Sequence, residues 1–565
     1  MSNFIRTVIF KKIIKQLQNI DNACRYKIMS NLHIKFNKEI NTYTFVLPLK
    51  SKDYNLTNNV KDITENDLKG DLDTITVQDD AIHFNVLRDK YIKQILESNL
   101  SGVRPPLVDI NKNIIVEFSS PNIAKPFHIG HLRSTIIGNC IANLNGFLQN
   151  QVTKINYLGD WGTQFGYVYI GMKMANIDNI EMQTDPIKTL YTAYVNANKL
   201  AKDDPSVNES AKEIFRQLEL EDNEIYKSWE TIKRFTVLEL ERIYKRIGLT
   251  FDRYDWESMY TVKKMNKIID KMEGMQLLKL DNENRKVMPL SEGKSVPIIK
   301  SDGTSLYISR DIAAAIDRFE RNKFDAMYYV VENGQTDHFT NLIQILNKMN
   351  LPWVDRLKHV KFGRVHGMST RQGTAVFLED ILNKAKETMK QKQLDTKTTK
   401  VPLDKIDESS DILGVSGVII QDLKQNRMSS YKFDWNSMFD MKGDSGIKLQ
   451  YAHCRLCSLE ELSSDGTLVI ECDSSLLKEA EVDQLILLIS QFDEVVLKSY
   501  EELEPCVLTV YLFYLCKAIN IAWRKLGVKY QSNDLGNQRL LLFHIARITL
   551  AQGMKLLGLT PLEKM

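Results

Sequence analysis

Two histidines stand three residues apart in SSPNIAKPFHIGHLRSTIIGN (119–139): His128 and His131, with Gly130 between them. The apolar run IIVEF (114–118) precedes them and a helix-like stretch follows, so they fall at the mouth of a helix leaving a buried strand. A helix N-terminus presents unpaired N–H groups and a partial positive charge, which makes it a natural phosphate site. Residues three apart at a helix start point the same way, and each imidazole can donate a hydrogen bond to a phosphate oxygen. Gly130 has no side chain, so a flat ring can lie against the backbone there. The chemistry this pattern serves is stabilisation of charge that develops on a nucleotide's phosphate during group transfer. Histidines at this spacing are also common as ordinary surface or core residues, so the pair by itself carries little specificity.

The elements that must position the pair follow from hydrophobic periodicity. IIVEF, the helix LRSTIIGNCIANLNGFL (132–148) and VTKINYL (152–158) give strand, helix, strand, the opening of a doubly wound α/β sheet. Residues 187 to 247 read as helical, rich in Lys and Glu, and form an insertion or outer layer. The α/β pattern returns at SLYIS (305–309), AMYYVVENG (326–334), FTNLIQILNKMN (339–350) and HVKFGRV (359–365). After 380 the chain is helical to its end. In EAEVDQLILLISQFDEVVLKSY, Val482, Leu485, Ile486, Ile489 and Val496 share one face, as in a helical bundle. Near the other end, TYTFVLPL and ITVQ (75–78) read as strands and FNVLRDKYIKQILESN (84–99) as a helix, a small α/β unit closed by Pro105 and Pro106.

Composition sets bounds. A chain of 565 residues with 43% apolar and 26% charged residues is that of a multidomain globular enzyme. Net charge is +3, so any nucleic-acid surface must come from local clusters of Lys and Arg. Seven cysteines, an odd count without framework spacing, favour a reducing compartment. No uninterrupted apolar stretch stands out at the ~18 residues that a membrane span needs, and no membrane partner is expected. The first twenty residues carry Arg6, Lys11, Lys12 and Lys15 and no acid, with Ile5, Val8, Ile9, Ile13 and Leu17 at helical spacing. That is the composition of a mitochondrial presequence; the alternative is the first helix of the N-terminal domain.

The segment 119–139 resembles, almost word for word, the first motif of arginyl-tRNA synthetases, the HIGH-type class with a Rossmann catalytic fold. NYLGDWGTQFG (156–166), SDGTSLYISRDIAAAIDR (301–318), GMSTRQGTAVFLEDIL (367–382), LQYAHCRL (449–456) and GMKLLGLTPLEKM (553–565) are similar to that family in its own order. ENGQTDHF (332–339) and GNCIANL (138–144) are most similar to mitochondrial animal members. The resemblance implies a multidomain α/β chain. Its parts would be a presequence at 1–29, an N-terminal tRNA-elbow unit at 30–105, a Rossmann-type catalytic domain at 106–390 with a helical insertion at about 187–300, a connecting helical region at 391–445 and an anticodon-binding bundle at 446–565. It implies transfer of L-arginine to tRNA(Arg) through arginyl-adenylate, in the mitochondrial matrix with the cytoplasm as alternative, by a monomer. ATP is the co-substrate, and Mg²⁺ travels with it on phosphate oxygens and water.

The resemblance also assigns roles. His128 and His131 hold ATP at the adenylation step, with Gly130 in the same motif. Met368, Ser369 and Arg371 belong to the mobile triphosphate loop, where Gln372 stands at a position that is basic in the family pattern; Lys125 is expected to substitute. The arginine contacts map to Glu117, Ser120, Asn122, His131, Tyr307, Asp311 and Gln335. A planar, permanently charged guanidinium is best held by carboxylates in fork geometry, which makes Asp311 the main candidate with Glu117 assisting. Tyr307 and Asp311, four apart, share a face on a helical turn. The bland alternative for Asp311 is a salt bridge to Arg310 or Arg318. For tRNA, Tyr451, Arg455, Trp523, Arg524, Tyr530 and Arg547 have suitable types, although helix packing explains aromatics equally well. Cys454 and Cys457 form a CxxC without a second half at zinc-finger spacing, so no zinc or other dedicated metal site is expected. Two rivals compete with this reading: a HIGH-type enzyme that adenylates a small acid without tRNA, and a non-catalytic tRNA-binding relative.

Overall fold

The computed structural model describes residues 3–16, 22–59, 63, 72–106, 111–123, 127, 129–176, 186–220, 222–301, 306–366, 377–462, 469–529 and 531–565. Strands are numbered along the chain and helices are given by their bounds. β1 (His33–Asn37), β2 (Thr42–Pro48), β3 (Thr74–Gln78) and β4 (Ala81–Leu87) form an antiparallel sheet in the order β1-β2-β4-β3. The helix expected over 84–99 begins only at Arg88, because Ile82, Phe84 and Val86 alternate as a strand that pairs with β2 and β3.

The central sheet is parallel throughout. β5 (Asn113–Glu117), β6 (Gln151–Leu158), β7 (Arg253–Trp256), β11 (Ala326–Glu332) and β12 (Leu357–Phe362) lie in the order β12-β11-β5-β6-β7. From β5 the chain winds one way through β6 and β7, then returns to β5's other side with β11 and β12. The crevice between the carboxyl ends of β5 and β11 is therefore the topological switch point, where open α/β sheets bind ligands. β5 is buried on both faces: Ile114 and Val116 join one core and Ile115 the other. Between β7 and β11 a small antiparallel sheet forms from β8 (Lys279–Leu280), β9 (Lys286–Pro289) and β10 (Ser295–Ile299). The segment 187–300 is thus not all insertion, since it supplies the edge strand β7 of the central sheet. SLYIS is not a strand either; its described end opens the helix Tyr307–Asn322.

The helix Ile129–Phe147 follows β5 and is buried over most of its length, its polar Arg133, Ser134, Thr135, Asn139 and Asn145 included. It packs on β5 and β11 beneath and on the helices Ile406–Leu423, Ala480–Glu502, Pro505–Lys525 and Asn533–Leu556 above. Gly138 lets it approach β5: an added Cβ would lie 2.3 Å from the Phe118 ring. The region 391–445 is stitched into the catalytic unit. The helix Leu378–Asp395 runs across its start and packs on Ile406–Leu423, while β14 (Tyr431–Lys432) pairs in parallel with β13 (Val365–His366).

The first helix, Asn3–Gln16, is part of the core. Ile5, Ile9 and Ile13 are buried, and the enclosed Arg6 guanidinium donates to Glu494 at 2.6 Å across to the helix Ala480–Glu502. This is the behaviour of the alternative reading, a first structural helix. Pro505–Lys525 is long and apolar enough to cross a membrane, although Lys517 interrupts its apolar run. Here it packs in the bundle, with Leu508, Leu512, Leu515, Ile519 and Ala522 buried.

Candidate active site

After β5 the backbone turns through Ser119 (φ 74°) and Ser120 (φ 48°), two consecutive non-glycine residues in the left-handed region. Each such residue costs of order 1–3 kcal/mol and persists only where its surroundings fix it. Buried hydrogen bonds do so here. Ser119 N–H donates to Ser134 Oγ (3.0 Å), Thr135 Oγ1 to Ser119 Oγ (2.9 Å) and Ser120 N–H to Asn156 Oδ1 (3.0 Å). The Tyr244 hydroxyl meets Ser119 Oγ at 2.7 Å and accepts from Asn156 Nδ2 at 3.0 Å. Ser134 Oγ in turn donates to Val330 O of β11 at 2.6 Å. The residues that follow HIGH, Ser134 and Thr135, thus clamp the turn that carries Ser120 and Asn122. Among the described residues the Ser120 hydroxyl is buried without a hydrogen-bond partner.

His131 lies on the first turn of Ile129–Phe147, its ring stacked on Phe127 at 5.6 Å and 7°. Gly130 precedes it on the same turn. Lys125, His128, Met368, Ser369, Arg371 and Gln372 lie outside the described residues. Arg133, fully buried, was not singled out from the sequence. Its guanidinium donates to Gly363 O (2.6 Å) and Ser429 O (2.8 Å), pairs with Asp422 (3.3 Å) and lies over the Tyr431 ring at 5.2 Å. The HIGH helix is therefore anchored to the end of β12, just ahead of 367–376.

The arginine candidates gather at the switch point. Glu117 ends β5, Ser120 and Asn122 follow it, Tyr307 and Asp311 begin the helix Tyr307–Asn322, and exposed Gln335 ends the turn after β11. Of Tyr307 only the backbone is described. Two expectations change. Asp311 is not paired with Arg310 or Arg318; its Oδ2 meets His338 Nε2 at 2.7 Å. Glu117 is no open second prong, because its Oε2 is held by Arg318, whose Nε also bonds Asp255 Oδ2 at 3.1 Å, with the guanidinium 4.7 Å above the Tyr157 ring. Burial raises the Glu117 pKa, and Arg318 opposes the rise.

The acid that faces Asp311 is one the sequence reading missed, Glu257. It lies in the turn after β7. Burial, then the negative field of Asp311, pushes its pKa up to about 7. Asp160 of GDWG fixes that turn, accepting from Ser258 N–H (3.0 Å) and Oγ (2.7 Å). Lys233, 3.1 Å from Asp160, lies between the Trp229 and Trp256 rings at 4.0 and 4.1 Å.

A second site lies in the C-terminal bundle. Tyr451, Arg455, Trp523, Lys400, Lys529 and Met565 are among the residues lining a cavity of about 540 Å³. The Arg455 guanidinium stacks 4.4 Å over Trp523 and 5.5 Å from Tyr451, held by Asn520 Oδ1 at 2.9 Å. Arg524 is exposed on the same helix as Trp523, and Tyr530 is outside the described residues. Arg547 is not among the residues that line the cavity, and its Nε donates to Glu460 at 2.7 Å. His453 and Cys454 both bond Leu562 O, at 2.7 and 3.1 Å, so the CxxC segment ties down the chain's last residues.

A parallel sheet with the HIGH helix at its switch point is thus joined to a helical bundle with a cation–aromatic cavity, an arrangement that fits a class I aminoacyl-tRNA synthetase. Comparison with known proteins refines this. Residues 92–435 match the family model "tRNA synthetases class I (R), catalytic domain" and residues 449–565 the "DALR anticodon binding domain". The probable mitochondrial arginine–tRNA ligase of Mus musculus is 42% identical over 496 residues, covering 86% of this chain and 85% of the mouse protein. The cytoplasmic arginine–tRNA ligase of Saccharomyces cerevisiae is 40% identical over 473 residues, 80% and 77% of the two chains. The crystal structure of arginyl-tRNA synthetase from Plasmodium falciparum matches with a TM-score of 0.75 at 25% identity, covering 99% of this chain and 98% of that one. The Thermus thermophilus enzyme shares the fold, with a TM-score of 0.81 at 18% identity. The chain belongs to the arginyl-tRNA synthetase family.

Proposed function

We infer that the chain attaches L-arginine to tRNA(Arg) in two steps. The arginine carboxylate attacks the α-phosphate of ATP, giving arginyl-adenylate and pyrophosphate; a terminal ribose hydroxyl of the tRNA then takes the arginyl group and AMP leaves. The observation that carries this reading is Asp311. Its partly exposed carboxylate sits across the switch point from the turn built by β5 and the HIGH helix. A carboxylate there selects a guanidinium, and lysine, a point charge on a flexible stem, cannot copy the fork. Aminoacylation of a tRNA pool with each labelled amino acid in turn tests it: arginine alone is expected to be transferred, and transfer of another amino acid would overturn the reading.

Within this reading Asp311 grips the guanidinium, with Glu257 as the second acid in place of Glu117. Glu117 and Arg318 form the floor. Tyr307 supplies a hydroxyl or a stacking face. Asn122 and Gln335 hold the substrate's amino and carboxylate groups, and the Ser120 hydroxyl gains its missing partner. His128 and His131 steady the α-phosphate. Lys125, with Ser369 and Arg371 of the loop, neutralises the triphosphate, and Mg²⁺ enters on the nucleotide's own oxygens and water. Trp523, Arg455 and Tyr451 receive an unpaired anticodon base, which stacks on an aromatic face beside a cation.

The chain acts as a monomer in the mitochondrial matrix. Relatives with both mitochondrial and cytoplasmic names stand at similar identity, and the basic N-terminus favours the former. Because Ile5, Ile9 and Ile13 belong to the core, the mature matrix protein is expected to retain them. Sequencing the N-terminus of protein recovered from purified mitochondria tests both points.

A further inference from the structure

Asp311, read above as the guanidinium's acceptor, already has a partner. His338, third residue of the helix Thr336–Lys348, places Nε2 at 2.7 Å from Asp311 Oδ2, with the two side chains 30% and 25% exposed. The pair is thus partly open to solvent, and the Phe339 ring stands edge-on to the imidazole at 5.4 Å. We propose that His338 is a positioning residue for substrate selection: its imidazolium is the resident counter-ion of Asp311, and incoming arginine displaces it, so that each arginine bound expels one proton to water. This rests on the reading that Asp311 receives the guanidinium, and it adds a titratable gate to that reading.

The charge balance around the pair supports the exchange. The hydrogen bond to Asp311 raises the His338 pKa, outweighing its partial burial. Facing Asp311 are Glu117 on β5, Tyr157 on β6, Glu257 after β7 and Tyr329 on β11. Glu117 is compensated by Arg318, Glu257 has its pKa pushed up to about 7 with Arg310 beside it, and the two phenols stay neutral. Behind His338, on β12, His359 donates to Val331 O at 3.0 Å, and burial lowers its pKa, so it brings no charge. Asp311 is thus the anion without a fixed cation, and His338 is the mobile one. Arginine carries its charge at every relevant pH. When it arrives, the guanidinium and the imidazolium compete for the same partly exposed carboxylate, and repulsion between the two cations favours the neutral ring; the ring returns its proton to solvent and the Asp311–guanidinium pair replaces the Asp311–imidazolium pair. Glu257 responds in the same sense, since a nearby guanidinium favours its ionised form.

The sign follows. Below the folded-state pKa of His338 arginine must discharge the ring, so affinity rises with pH, and above it affinity is level. The test is titration calorimetry of arginine into the full-length protein near pH 6.5, in buffers of different ionisation enthalpy. More protons released per arginine are expected from the wild type than from His338→Asn, which keeps a donor for Asp311 but does not titrate and so leaves only the Glu257 share. In pyrophosphate exchange with tRNA present, KM for arginine should fall up to tenfold per pH unit in the wild type at low pH and more weakly in His338→Asn. Arginine binding without proton release in the wild type, or release unchanged in His338→Asn, would overturn the proposal. If arginine does not bind, or if Asp311→Asn binds it equally well, the reading of the pocket fails instead.

Discussion

Replacing Arg318 by methionine removes a cation whose anions are sealed from water. The Arg318 side chain is 1% exposed, Glu117 5% and Asp255 0%. Asp255 keeps two further partners, Arg253 at 2.6 Å and Arg321 at 3.3 Å, so Glu117 carries the loss. Stranding one member of a buried pair costs about 3–5 kcal/mol. At roughly 2–4 °C per kcal/mol for a domain of this size, the catalytic unit should melt about 6–20 °C lower at pH 7.5. The deficit has a pH signature. Glu117 already has its pKa raised by burial, and without Arg318 it rises further. A carboxyl whose folded-state pKa lies above its unfolded value costs nothing below the unfolded pKa; the cost grows as pH rises to the folded pKa, by about 1.4 kcal/mol per unit. Scanning calorimetry of the full chain at pH 5.5 and 7.5 should show the gap to wild type narrow at the lower pH. Glu117→Gln/Arg318→Met should recover at least half of it at the higher. If single and double variants melt together at pH 7.5, or if the gap ignores pH, the pair is not what holds the pocket floor.

Other perturbations separate the remaining roles. Asp311→Ala should lower kcat/KM for arginine in pyrophosphate exchange by about 10²–10³-fold, the cost of truncating a partly buried charge pair, while the tRNA Kd changes little; equal loss of both would mean global damage. Lys125→Ala should slow adenylation at saturating ATP by about 10²-fold if it meets the triphosphate in the transition state, and an unchanged rate removes it from the mechanism. Trp523→Ala should raise KM for tRNA by about 5–150-fold, the worth of one stacked base, and leave arginine activation at saturating tRNA intact; an unaltered tRNA KM would return Trp523 to mere helix packing.

What the sequence disclosed followed from how local each signal is. IIVEF, VTKINYL and AMYYVVENG announced β5, β6 and β11 because strands buried on both faces read as short apolar runs, whereas β4 was absorbed into a helix because its alternation runs straight into Arg88–Ser98. β7 was hidden in the helical insertion, and with it went Glu257, since nothing in WES marks an acid whose function depends on a strand four residues long. Glu117 and Asp311 were legible as acids, but not their partners. Arg318 and His338 lie 201 and 27 residues away along the chain, and pairing at such separations leaves no local trace. In the bundle, Tyr451, Arg455 and Trp523 converge on one cavity while Arg547 does not. Residue type suggested all four; only the packing against Glu460 distinguishes them.

The helix Ile406–Leu423 touches both working ends of the enzyme. Asp422 holds Arg133 of the HIGH helix. Six residues earlier, Ser416 lies so near the start of Gly446–Leu462 that a Cβ on Gly446 would meet its carbonyl oxygen at 2.1 Å, and that second helix carries Tyr451 and Arg455. Backbone against backbone leaves no slack for sliding. The two contacts stand six residues apart, about 9 Å along the helix, so the HIGH helix and the helix Gly446–Leu462 hang from one short strut and a tilt of either is felt by the other.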